Sequence, residues 1–163
     1  MFEKLKDSII QYIYNISQQP VKLHELLEAK RLYDDGMKIE DSKLGFRLKK
    51  GRAYVVFLIL IHIFIVPIAF VTHHLFILLD CHAAIIIAII FTAFLFGLFS
   101  CFKDWTRDRV SMIRIKQMWR LHFPHFPYDE FEEDISKIYK VALEEDIKNI
   151  DLERYILDSL SNT

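Results

Sequence analysis

Histidines and cysteines are the side chains of this 163-residue sequence best able to bind a metal or a haem, and it holds seven of the first and two of the second. His62 lies about ten residues inside one apolar run, and His82 stands at the edge of another. Two imidazoles facing each other across a helix pair can ligate haem b axially, as in a small subunit of a membrane electron-transfer complex. That reading needs His82 within about a turn of the depth of His62, and more protein around the macrocycle than two helices. Otherwise His62 is an imidazole hydrogen-bonded within the hairpin. His122 and His125 have no neighbouring Cys or carboxylate with which to build a zinc site. Cys81 and Cys101 would lie about 30 Å apart on one helix, whereas bridged Cα atoms lie within roughly 7 Å, so they do not pair with each other. Cys81 is placed either to bridge two protomers or to pack as an ordinary thiol. With four glycines the chain has no phosphate-cradling loop, and Thr106 and Ser111 have no base beside them. The expectation is a protein that is not an enzyme.

The elements that position these side chains are two apolar runs, Ala53–Val71 (AYVVFLILIHIFIVPIAFV) and Ala83–Phe102 (AAIIIAIIFTAFLFGLFSCF). A hydrocarbon core of about 30 Å takes about 20 helical residues, and in lipid the backbone can bond only to itself. The expected fold is therefore an all-α membrane protein. A two-helix transmembrane hairpin (53–71 and 83–102) is joined by a short extracytoplasmic connection at 72–82 and flanked by helical cytoplasmic segments. The connection carries Thr72, His73, His74, Asp80, Cys81 and His82. A second helix begun at Leu75 would be about 42 Å long, so 72–82 reads as an outer cap with Asp80 near water. The haem reading turns on whether His82 lies in that cap or in the bilayer.

Charge orients the hairpin. Residues 43–128 hold eleven Lys/Arg against three acidic residues, while residues 72–82 hold no Lys or Arg. Basic loops stay on the cytoplasmic side, so both termini are expected in the cytoplasm, with a bacterial inner membrane as the location. The opening MFEKLKDSIIQYIYNIS lacks the continuous apolar core of a secretory signal, which leaves the first membrane helix as an uncleaved targeting signal.

The segment 1–50 reads as helical pieces. Phe2, Leu5, Ile9, Ile13 and Ile16 form one stripe, and Leu23, Leu26, Leu27 and Leu32 a second that ends at Gly36. A third piece is expected near Ser42. Residues 103–128 form a basic juxtamembrane helix and a Pro/aromatic linker. There Arg107, Arg109, Arg114, Lys116, Trp119 and Arg120 read as a membrane-surface face for anionic lipid headgroups rather than for nucleic acid. Two prolines in Phe123–Tyr128 break the helix. The acidic segment 129–163 places Phe131, Ile135 and Ile138 on one face. Ile147, Ile150 and Leu157 follow in another phase, with a bend near Asn149–Asp151. These six are the expected partner-docking residues, by helix-in-groove recognition.

Together these features favour a membrane-anchored, cofactor-free accessory, scaffold or assembly protein, acting through helix–helix contacts with a larger membrane complex or through self-association. A haem- or metal-bearing subunit using His62 and His82 is the alternative, and a lipid-surface or curvature-sensing hairpin is a third reading.

Overall fold

The computed structural model describes residues 2–77 and 81–161, with side chains for 4–72 and 82–161. Its described residues are mostly helical: α1 Phe2–Ile13, α2 Leu23–Asp34, α3 Lys50–Ile77, α4 Cys81–His122, α5 Tyr128–Glu144 and α6 Leu152–Ser161, with two short strands, β1 Tyr14–Ile16 and β2 Phe46–Leu48. The chain divides into two units. Unit 1 is Met1–Asn15 with Leu48–Arg107, and unit 2 is Ile16–Arg47 with Asp108–Thr163.

In unit 1 the apolar runs become α3 and the first part of α4. Both helices are long and apolar enough to cross a membrane. Their bulky side chains are turned outward rather than into a core: Phe64, Ile89 and Phe96 are each about two-thirds exposed, at 65%, 64% and 70%. Pro67 lies inside α3, where its missing N–H leaves the Ile63 carbonyl without its helical donor. The helix remains regular through Ile77, and the next begins at Cys81. Most of the backbone expected as an outer cap at 72–82 is thus helical. Asp80, and the side chains of His73, His74 and Cys81, lie outside the described residues. At 42 residues, or about 63 Å, α4 also merges the expected second span with the juxtamembrane helix.

Beneath the spans, α1 packs on α3. Ile10 and Ile13 are its buried positions, so Ile13 of the expected stripe faces inward, whereas Leu5 is 55% exposed. The Tyr14 hydroxyl meets Thr106 Oγ1 at 3.2 Å. Arg52, in the first turn of α3, stacks its guanidinium 4.9 Å from the Tyr12 ring centroid. Higher up, Phe57 and Tyr54 of α3 hold Phe99 of α4 at centroid distances of 5.1 and 5.7 Å.

The described fold is mostly helical, as expected, with one short strand pair added to it. The Lys49 N–H donates to the Ile13 carbonyl at 2.8 Å, and the Ser17 N–H to the Gly45 carbonyl at 2.7 Å. These two bonds frame the β1–β2 pair. Because Lys49 takes the Ile13 carbonyl, α1 stops there and Ile16 falls in a strand.

In unit 2 one type of turn recurs. After α2, the Met37 N–H bonds the Leu32 carbonyl and the Gly36 N–H the Tyr33 carbonyl, with Gly36 at φ 65°. This is the Schellman pattern of helix ends. It recurs at Gly45 (φ 70°), where a third helical piece was expected, with Phe46 bonded to Asp41 and Gly45 to Ser42. A third copy stands at Asp146 (φ 53°), with Ile147 bonded to Ala142 and Asp146 to Leu143. It separates α5 from α6 shortly before the expected bend. Residues Phe123–Tyr128 fold back on α4. Trp119 lies 5.0 Å from Phe123 and 5.1 Å from Tyr128 between ring centroids, and its Nε1–H donates to the Phe126 carbonyl at 2.9 Å.

Candidate functional site

Three polar side chains in the apolar stretches are tied to their own helix. His62 Nδ1 bonds the Leu58 carbonyl at 2.7 Å, Thr72 Oγ1 the Ile68 carbonyl at 2.8 Å, and Thr92 Oγ1 the Ala88 carbonyl at 2.7 Å. Each reaches four residues back, which satisfies a polar hydrogen within its own helix. A cavity of about 340 Å³ lies between α3 and α4. His62 lines it with Tyr54, Phe57, Leu58, Ile61 and Ile65 on one side and Phe91, Thr92, Leu95, Phe96 and Phe99 on the other. His82 does not line it. It stands nine positions before Phe91, about 14 Å along α4. The expected pairing of His62 with His82 is therefore not formed across this cavity. Among the described residues no group of three or more His, Cys, Asp or Glu is placed to hold a metal ion.

The six residues expected as a membrane-surface face divide: two are buried, three half-buried and one exposed. Arg114 and Trp119 are buried, at 1% and 0% exposure. Arg114 Nε donates to the Leu44 carbonyl at 3.0 Å, Nη2 to the Gln19 carbonyl at 2.6 Å and Nη1 to Gln117 Oε1 at 3.0 Å. Desolvation pulls its pKa below the usual guanidinium value, and three acceptor oxygens hold the cation in place. Lys116 is half-buried, bonded to Asp129 at 2.6 Å and lying 4.8 Å from the Tyr128 ring centroid. Arg107 pairs with Asp104 at 3.1 Å. Arg109 is half-buried and Arg120 exposed. The buried row of α4 is Val110, Ser111, Arg114, Ile115, Met118 and Trp119. Arg114 therefore occupies the same i, i+4, i+8 line as Val110 and Met118, whereas Leu121 is 61% exposed.

That row grips the chain before α2. Besides the Arg114–Gln19 bond, the Val21 N–H meets Met118 Sδ at 3.3 Å, and His122 Nε2 donates to the Val21 carbonyl at 2.7 Å. Sequence reasoning also missed Lys30, a buried lysine of α2 with its ammonium 2.6 Å from Asp34 and 3.3 Å from Glu132. The i, i+4 spacing of Lys30 and Asp34 was the available signal. The Tyr128 phenol, 9% exposed, has its pKa raised, first by burial and then by the Glu132 and Asp34 carboxylates.

The expected docking residues also divide. Ile135 is in the core, while Phe131, Ile138 and Ile147 are half-buried, with Phe131 5.0 Å from Phe126. Leu157 is exposed, and Ile150, in the turn before α6, is 91% exposed. The inner face of α6 is made by Leu152 and Ile156 instead. Comparison with known protein families, curated proteins and solved structures finds no match to this chain.

Proposed function

We propose that the chain is a multi-pass integral membrane protein whose α3–α4 hairpin anchors small helical cytoplasmic segments, and that it serves as a non-enzymatic accessory or scaffold protein of a larger membrane complex. The observation that carries this reading is the outward apolar surface of α3 and α4, with Phe70 at 85% and Val71 at 78% exposure. In water each such side chain forgoes roughly 1.5–3 kcal/mol of burial, whereas acyl chains cover it without loss. The tied-back His62, Thr72 and Thr92 support the same surroundings. The basic clusters at Lys49–Arg52 and Lys103–Arg109, set against a connection without Lys or Arg, favour cytoplasmic termini and contact with anionic headgroups. Bacterial inner membrane is the location this pattern suits.

For the partner contact, the acidic α5–α6 segment offers the fully turned-out Ile150. A photo-crosslinking residue at position 150, with affinity tags at both termini, tests both halves of the reading in native membranes. The expected result is one reproducible cross-linked membrane partner, or a second copy, with both tags sealed from external protease. Tags on opposite sides would end the hairpin topology. A protein recovered alone and monomeric, with no cross-link, would end the scaffold role.

A further inference from the structure

The cavity between α3 and α4 presents acceptors and no matching donor near its centre. The Leu58 carbonyl can only accept, so in the 2.7 Å contact His62 Nδ1 carries the proton. In a neutral imidazole the other ring nitrogen is then a bare acceptor. Among the described residues Nε2 has no hydrogen-bond partner. Thr92, on the facing wall, has its hydroxyl proton committed to the Ala88 carbonyl at 2.7 Å, so it too offers lone pairs only. The Tyr54 hydroxyl belongs to a residue eight positions from His62, about 12 Å along α3. The remaining walls include four phenylalanine rings, Phe57, Phe91, Phe96 and Phe99, whose faces and edges favour stacking with another aromatic ring. The volume of about 340 Å³ falls at the small end of the range for ligand sites.

We infer that this cavity binds a lipid-soluble aromatic alcohol, a phenol or quinol, whose hydroxyl donates to His62 Nε2 while its ring stacks among the phenylalanines. A quinone would set a carbonyl oxygen against two acceptors, so the site favours the reduced form. The inference concerns binding alone, with no electron transfer. It rests on apolar surroundings for α3 and α4 and is independent of the scaffold role.

The test uses the full chain in phosphatidylcholine nanodiscs under anaerobic conditions, titrated calorimetrically with 2-methyl-1,4-naphthohydroquinone, its quinone, and 1,4-dimethoxynaphthalene. The quinol is expected to bind at least about tenfold more tightly than either donor-less ring, the worth of one hydrogen bond. His62→Leu is expected to erase that preference and leave the weak quinone affinity unchanged. Equal affinities for the three rings in the unaltered protein would overturn the inference, whether or not the variant folds. So would a preference that survives His62→Leu, a Soret band that His62→Leu abolishes, or an oligomer that His62→Leu dissolves. In the last two cases haem or a second copy takes the nitrogen.

Discussion

Arg114 Nη2 lies 3.5 Å from the place a Cβ would occupy on Gly45. The turn that lets residues 41–46 reverse direction is thus built around the guanidinium that organises unit 2, and the glycine is fixed by its neighbour as well as by its backbone.

Replacing that guanidinium should be the most damaging single change in the unit. Arg114→Met keeps much of the apolar stem but leaves the Leu44 and Gln19 carbonyls without donors. At about 1–3 kcal/mol for each unpaired buried group, the expected loss is about 3 kcal/mol. Arg114→Lys, with a point charge in place of a planar fork, should recover part of it. Urea unfolding in mild detergent, followed by circular dichroism, reads the order. A loss below about 1 kcal/mol would show that water replaces the carbonyl partners.

Gly36 and Gly45 provide a controlled comparison. Both have positive φ, but a Cβ on Gly36 meets nothing within 4 Å, whereas one on Gly45 meets Ser17 Cβ at 3.3 Å as well as Arg114. Gly36→Ala should cost about 1 kcal/mol from the left-handed backbone alone. Gly45→Ala should cost about 2 kcal/mol or more, since steric displacement adds to the same term. Equal destabilisation in thermal melts would mean that Ser17 moves aside freely.

Asp146 holds the third such turn at φ 53° without being glycine. Asp146→Gly should therefore stabilise unit 2 by about 1 kcal/mol. The helix content of α5 and α6 should be unchanged, which circular dichroism before melting can verify.

The Tyr128 phenol gives unit 2 an alkaline limit. Its raised pKa means that the folded state keeps the proton more firmly than the unfolded chain does. The stabilisation is complete below about pH 10, the ordinary phenol value, and is lost as pH rises from there toward the folded-state value. Tyr139 is shifted in the same direction, chiefly by burial. Unfolding midpoints should fall as the pH rises above about 10, and Tyr128→Phe should flatten the fall. An identical slope in the variant would place the sensitivity elsewhere.

The two long apolar helices were legible in the sequence because composition over twenty residues is a strong signal. Single side chains were harder to place. Arg114 is charged, and charge reads as surface until tertiary acceptors are known, although its spacing from Val110 and Met118 put it on an interior row. Tyr14–Ile16 continues the apolar periodicity of α1, and only the long-range bond from Lys49 to Ile13 shows that the helix must stop. His62 was rightly placed inside an apolar helix, but whether it faced His82 depended on the relative register of two helices, which helical periodicity does not encode.

The two tryptophans have one further consequence. Trp105, in unit 1, is 46% exposed, while Trp119, in unit 2, is sealed and bonded to a backbone carbonyl. The chain therefore carries two intrinsic fluorophores in contrasting environments, one per unit. Trp105→Phe and Trp119→Phe variants should separate their emission, so that lipid contact by one unit and unfolding of the other are followed by colour in one unlabelled sample.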